Sequence, residues 1–334
     1  MAGIQKGSHQ VSSMTQPSKV PGEVIVRPVF EGDLDRVDLI YRTAFGTFFG
    51  VPEPEDIFGD TELVRTRWLH DPGASLAAEL DGALVGSNFV TTWGSFGFFG
   101  PLTVQPECWD RGIAHRLMEA TMELFASRHT RHMGLFTFAH SPKHVVLYQR
   151  FGFWPRFLIA VMEAPVAPPE RPASYVRFSA LAVRDRAVTT GAVRSLTGEI
   201  FDGLDVSGEL EAVLDQNLGE TVLIEDASGL QGVAVCHIGP GTEAGSDMCY
   251  VKFAAIRPGP GAARYFDRLI DACHDLASSA GVSVLQAGVN FGREHAYGAL
   301  RERGFRTQFQ GISMHRPNED GYDTAASWVL DDWR

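Results

Sequence analysis

The 334-residue sequence predicts an α/β (α+β) protein made of two tandem copies of one fold, each a mixed, mostly antiparallel twisted sheet flanked by helices. Three observations carry this. Apolar runs with strand spacing alternate with amphipathic helical runs through both halves. A proline-rich break, Ala167-Pro168-Pro169-Glu170-Arg171-Pro172, divides the chain near its middle. The order of elements before the break recurs after it at a period of roughly 150 residues, which marks a duplication. Gly86 matches Gly232, Gly112 falls near Gly261, and Gly152-Phe153 matches Gly304-Phe305.

The sequence therefore divides into a flexible leader (1–22), a first copy (23–166), a linker (167–172), a second copy (173–316) and an acidic tail (317–334). The leader is polar and lacks the apolar centre of a signal peptide. The tail carries Trp328 and Trp333 and is expected to pack on the body. A 44% hydrophobic and 21% charged composition is that of a soluble globular protein. No apolar run of about 18 residues is present, so no membrane span is predicted. A net charge of −12 argues against a nucleic-acid partner, which requires clustered cations against phosphates. Cys108, Cys236, Cys249 and Cys273 show no Cys-x-x-Cys spacing, predicting a reducing cytoplasm and neither a disulfide framework nor a zinc site.

In the first copy, Val24–Val29 reads as a strand, and Asp33 opens a helix with Leu34, Val37, Ile40, Tyr41 and Phe45 on one face. Gly46–Asp60 mixes aromatic and acidic residues without period, and a helix over Thr61–His70 follows. Asp81-Gly82 between apolar runs signals a hairpin of Ser75–Leu80 and Ala83–Val90. Gly97–Val104 is a third strand. Ile113, Leu117, Ala120, Leu124 and Phe125 then follow helical spacing to about Arg128. Met133–Phe138 is a strand, Ser141-Pro142 starts a helix carrying Tyr148, and Trp154–Val166 is the last strand. The second copy repeats this: strand 175–178, a helix to about Glu199, strands 221–225, 230–235 and 250–256, a helix to Ala277, strand 282–286 and a helix ending at Gly304-Phe305.

Between the strand ending at Val104 and the helix starting at Ile113 lies Trp109-Asp110-Arg111-Gly112-Ile113-Ala114-His115. Gly112 and Ala114 let backbone N–H groups approach a bound group at the positive end of a helix. Arg111, His115 and Arg116 add positive charge in an otherwise acidic chain. The turn is an anion cradle for a phosphate or pyrophosphate. It lacks the Lys-Ser/Thr of a P-loop and the three-glycine spacing of a dinucleotide fold.

This order, with Leu147-Tyr148-Gln149-Arg150-Phe151-Gly152-Phe153 downstream, resembles the GNAT superfamily of acetyl-CoA-dependent N-acyltransferases, and a tandem GNAT protein in particular. The family cradle reads (Gln or Arg)-x-x-Gly-x-(Gly or Ala), so Trp109 departs from it while Gly112 and Ala114 fit. The resemblance implies acetyl-CoA as cosubstrate and no metal. It implies that Trp109 through His115 bind the pyrophosphate and that backbone N–H groups at Leu102, Thr103 and Val104 polarise the thioester carbonyl. Ser141 stands where the family often has an Asn contacting pantetheine. Tyr148 stands where a tyrosine protonates the departing thiolate, and a phenol of pKa near 10 is able to donate to a thiolate of about 8.5.

The second copy has Leu300 at the matching position, with Tyr297 one turn earlier, and Pro258 and Pro260 remove N–H donors from its cradle. Residues 24–166 are therefore expected to be catalytic and 173–316 degenerate. Candidate general bases are His140, His144, Glu53 and Glu55, with a chain of water molecules as the alternative. Phe48, Phe49, Phe58, Trp93 and Phe96 suggest an acceptor with an apolar or aromatic part. The expected reaction is acetylation of a primary amine of a small molecule or peptide, by a monomer acting as a pseudo-dimer or by a homodimer. The alternative is a CoA-binding sensor or scaffold with little or no catalysis.

Overall fold

A computed structural model of the protein describes residues 22–168 and 172–334. The expected leader, Gly22 apart, and part of the linker lie outside the described residues. The first half runs β1 (Val24–Pro28), α1 (Leu34–Phe49), α2 (Val64–His70), β2 (Ser75–Leu80), β3 (Ala83–Trp93), β4 (Phe96–Phe99), β5 (Thr103–Val104), α3 (Ile113–Ser127), β6 (His132–Thr137), α4 (Pro142–Arg150) and β7 (Trp154–Pro165). The second runs β8 (Val176–Arg177), α5 (Val183–Ile200), α6 (Ser207–Asp215), β9 (Gly219–Asp226), β10 (Gly229–Gly239), β11 (Gly245–Ile256), α7 (Ala262–Ser279), β12 (Val284–Asn290), α8 (Glu294–Glu302), β13 (Arg306–Arg316) and β14 (Val329–Leu330). The β2–β3 hairpin turns through Asp81 (φ 52°) and Gly82 (φ 80°), the left-handed pair that a two-residue hairpin requires. Gly97–Val104 is not one strand. It breaks after Phe99: β4 pairs with both β3 and β6, and the short β5 stays on β3 but leaves β6.

The fourteen strands among the described residues form one sheet in the order β1-β2-β3-β4-β6-β13-β7-β12-β11-β10-β9-β8, with β5 on β3 and β14 on β11. The pairs are antiparallel except β4 with β6 and β11 with β12. At the centre the halves exchange their last strands. β13 lies between β6 and β7, and β7 lies between β13 and β12. The duplication remains visible in register. Gly86 faces Val104 across β3 and β5, and Gly232 faces Ile256 across β10 and β11. A Cβ at Gly86 would meet the backbone oxygen of Thr103 at 2.8 Å, which excludes a side chain there, and one at Gly232 would meet Ile256 Cδ1 at 2.6 Å, so that the isoleucine would have to move aside.

The exchange crosses the cores as well as the strands. Ala160, Met162 and Ala164 of β7 pack with Phe266, Leu269 and Cys273 of α7, while Met314 of β13 packs with Phe99, Leu135, Tyr148 and Phe153 of the first half. Each Met, Leu or Phe side chain buried across the exchange contributes about 1.5–3 kcal/mol. Trp93 and Phe96 join Leu196, Leu210 and Val213 of α5 and α6 in a core between the halves. Their expected place beside the acceptor is thereby corrected: strand alternation turns them inward onto helices of the second half. The tail is buried too. Trp333 lies on Phe96 and fills the space above Gly134, where a Cβ would meet its ring at 2.7 Å. All four cysteines are buried free thiols. No described helix is long and apolar enough to cross a membrane.

Two buried histidines are held neutral. Burial, with the neighbouring His315, brings His132 down to about 4. Burial, with Lys252, brings His237 down to about 4, and neither ring nitrogen of His237 has a partner among the described residues. Unfolded histidine titrates near 6.5, so between these values the unfolded chain binds more protons. Stability is then fully present above about pH 6.5 and declines as pH falls toward 4. Thermal melting across pH 4–7 is expected to show this decline, and His237→Met to flatten it. An acid limb unchanged in the variant would show that His237 is not held neutral.

Candidate active site

The site begins where two parallel strands part. β4 and β6 pair from Phe96↔His132 to Phe99↔Leu135. Beyond that point β6 continues to Thr137, whereas the other strand turns at Gly100 (φ 143°) and stays on β3, pairing with it again at Thr103 and Val104. The result is a wedge open between Leu102–Val104 and Phe136–Thr137. Thr103 is buried with its hydroxyl on Ser87 at 3.0 Å, and Val104 is buried in the core. The amide of Leu102 has no backbone or side-chain acceptor among the described residues. Tyr148 of α4 lies at the apex of the wedge, edge-on to Phe99 at 5.6 Å and packed with Leu135 and Phe153. Its burial raises its phenol pKa, and its hydroxyl bonds to no described residue. It is a protonated donor without a competing acceptor.

The cradle follows. A short 3-10 turn at Pro106–Cys108 and left-handed residues Asp110 (φ 61°) and Gly112 (φ 80°) bring the chain round into α3. Gly112 is the N-cap of α3 and no side chain caps this end. The amides of Gly112, Ile113, Ala114 and His115 have no acceptor among the described residues. Four free N–H groups at one helix start form a site complementary to an anion. Ile113 is buried beneath it, Ala114 is half-buried and small, and Arg111 is exposed. Arg111, His115, Arg116 and Arg150 surround an open depression of about 620 Å³, which shares Arg116 and Arg150 with a second, of about 840 Å³. Trp109 folds back, its indole N–H donating to Val104 O at 2.7 Å, so the departing residue braces the turn. Asp110 pairs with Lys143 at 2.5 Å. Ser141 is buried and precedes α4, with no cap bond from its hydroxyl.

On the opposite side of the wedge the end of α1 meets the end of β6. Phe48 contacts Phe138 at 5.6 Å, His140 at 5.7 Å and His144 at 5.4 Å, and Phe49 contacts Phe138 at 5.3 Å. Partial burial, then Lys143 and His140, lower the pKa of His144, so it is neutral at pH 7. Glu53 and Glu55 are exposed. Phe58 stacks on Tyr41 at 4.8 Å, within the core beneath α1. Phe138 was missed by sequence reasoning, which read the strand without its partner from α1.

The second half contains the equivalent wedge, and it is filled. β11 pairs with β12 over Met248–Val251 only, and β14 of the tail then pairs with Ala254 and Ala255. Ile256 N donates to Trp328 O at 3.0 Å, and Trp328 lies on Phe266 of α7. The fully buried Arg293 holds this tail through Asp331 at 2.8 Å, Val329 O at 3.2 Å and Asp323 at 2.6 Å. Tyr322 donates to Asp331 at 2.8 Å. In the equivalent cradle Pro258 and Pro260 lack N–H groups, the amide of Ala262 is used by Gly259 O, and Tyr265 crowds Gly261. Leu300 is buried, and the ring of Tyr297 packs tilted against Phe291 with centroids 4.5 Å apart. Removing one member of a buried ion cluster costs about 3–5 kcal/mol because its partners are left buried without their counter-charge. Arg293→Met is expected to lose that much in urea unfolding, and a loss below about 1 kcal/mol would exclude the clamp.

The family model described as the acetyltransferase (GNAT) family matches residues 37–153. No curated protein matches the chain. Among solved structures, a candidate acetyltransferase from Pyrococcus horikoshii is 14% identical with a TM-score of 0.66, over 98% of this chain and 99% of its own. A GCN5-related N-acetyltransferase from Sphaerobacter thermophilus is 16% identical with a TM-score of 0.56, over 88% and 95%. A tandem GNAT protein from the clavulanic acid biosynthesis pathway is 12% identical with a TM-score of 0.51, over 88% and 98%. At these identities the likeness is one of fold.

Proposed function

With residues 37–153 belonging to the GNAT acetyltransferase family and the chain built on its fold in tandem, we propose that the first half transfers an acetyl group from acetyl-CoA to a primary amine of a small molecule or peptide. The observation that carries this reading is the contrast between the wedges: the first is open and lined by unused N–H groups, and the second holds β14.

When bound, acetyl-CoA would supply an acetyl thioester at the apex of the first wedge. The amides of Gly112, Ile113, Ala114 and His115, with Arg111 and Arg116, fit its pyrophosphate. Leu102 N–H polarises the carbonyl, a preorganised donor that gains strength where water is excluded. Thr103 and Val104 hold that strand on β3. His144, neutral and beside Phe48, takes the proton of the incoming amine. Tyr148 gives its proton to the departing thiolate. The aromatic surface of Phe48, Phe49 and Phe138 suits an acceptor with an apolar part next to its amine. The second half then serves as the structural partner of the first.

Calorimetric titration of acetyl-CoA is expected to find one equivalent bound by the wild type and none by Gly112→Trp, with melting curves confirming that the variant is folded. Undiminished binding by the variant would move the site elsewhere, and no binding by the wild type would end the acetyltransferase reading. Tyr148→Phe is expected to lower kcat by about 10²-fold or more, the usual contribution of a general acid, while leaving CoA affinity nearly unchanged. An unchanged kcat would remove the proton-donor role.

A further inference from the structure

Arg67 of α2 is a guanidinium buried at the junction of the two halves, 7% exposed. It is held by the loop between β10 and β11 of the second half. Nε donates to Glu243 Oε1 at 3.2 Å and Nη2 to Glu243 Oε2 at 2.9 Å, a two-point grip. Glu243 is fixed in turn by Lys252 Nζ at 2.8 Å, and Lys252 reaches Glu209 at 3.3 Å. The same loop is docked on the start of α2, with Glu62 N donating to Thr242 O at 2.9 Å and Gly241 N to Asp60 O at 3.1 Å. Nη2 of Arg67 also donates to the carbonyl of Arg334.

The remaining contact points into the first half. Nη1 donates to the carbonyl oxygen of Gly100 at 2.6 Å. Gly100 is the residue at which β4 leaves β6, one past the last parallel pair and two before the free amide of Leu102. Its own N–H donates to Phe89 O at 2.8 Å. Its φ of 143° is one that side chains rarely adopt, and Pro101 offers no N–H. The direction of the Leu102 amide, one peptide unit further on, is therefore set by a residue, Gly100, held at its N–H by β3 and at its C=O by Arg67. A lysine offers a single ammonium in place of this fork and does not span Glu243 and Gly100 in the same geometry.

We propose that Arg67 is a positioning residue for acyl transfer: gripped by Glu243 of the second half, it fixes the Gly100 carbonyl so that the Leu102 N–H faces the thioester oxygen. This rests on the acetyltransferase reading above. It makes the second half part of the active site without giving it a contact to the substrate.

The test uses the full chain and acetyl-CoA carrying ¹³C at the acetyl carbonyl. The carbonyl stretch of the bound ligand is read by difference infrared spectroscopy, and the affinity for CoA, which lacks the acetyl group, by calorimetry. In the wild type the band is expected below that of free acetyl-CoA. In Arg67→Lys and in Glu243→Gln it is expected to move back toward the free value, with CoA affinity changed by no more than about twofold, because the pyrophosphate cradle is untouched. If a single variant fails to fold, Arg67→Met/Glu243→Met removes both charges together, a replacement buried pairs tolerate, and the same return of the band is expected. A bound band at the free position in the wild type, or a band unmoved in the folded variants, overturns the proposal and leaves the acetyltransferase reading standing. A wild type that binds no acetyl-CoA overturns both.

Discussion

Neither half of this chain completes its own sheet. In each, a pair of parallel strands opens into a wedge, and the strand needed on the far side of β6 or β12 comes from the other half. The antiparallel pairing of β7 with β13 at the centre satisfies both edges at once, since an unpaired interior strand would leave its N–H and C=O groups without partners. Everything else is arranged around this exchange. It brings Met314 under Tyr148, places Ile159 against Trp93, Phe96 and Phe98, and draws α5 and α6 of the second half over the first.

With the halves locked in this way, their two wedges have opposite contents. The first keeps unused amides at Leu102 and at Gly112 through His115. The second is occupied by the tail, whose strand β14 completes the hydrogen bonding of Ala254 and Ala255. Arg293, fully buried, is balanced by Asp323 and Asp331, a cluster in which each charge needs its partners because water cannot solvate them. Duplication has thus left one copy of the groove open and the other built into the core.

A second buried network joins the halves near the open wedge. Arg67, Glu243, Lys252 and Glu209 alternate in sign, and the indole N–H of Trp93 donates to Glu209 at 2.9 Å. Burial alone would raise the pKa of Glu243, but Arg67 and Lys252 hold it well below the usual carboxylate range. Such a chain of charges is sensitive to geometry, which suits a junction that must keep Gly100 in one orientation.

Much of this was legible in the residues themselves. The hairpin at Asp81-Gly82, the cradle at Gly112, the helix carrying Tyr148 and the recurrence of glycines all rest on local rules: backbone conformations open to glycine, helical spacing of apolar residues and helix termini. The prolines of the second cradle were equally visible, because a missing N–H is a property of one residue. What only the tertiary structure decided are matters of pairing between distant segments. Trp154–Pro165 reads as a buried strand whichever half it joins, so its apolar pattern does not name its neighbour. Trp93 and Phe96 read as aromatic residues near an acceptor until α5 and α6 are seen to cover them. The tail's tryptophans mark it as packing on the body, but not that it adds a strand to β11 or that Arg293 pairs with Asp331 inside the core, and Arg67 reads as an ordinary helix cation until Glu243, 176 residues away, desolvates beside it. Spacing along a chain encodes a residue's own backbone and face, and contacts across it depend on which surfaces the whole fold brings together.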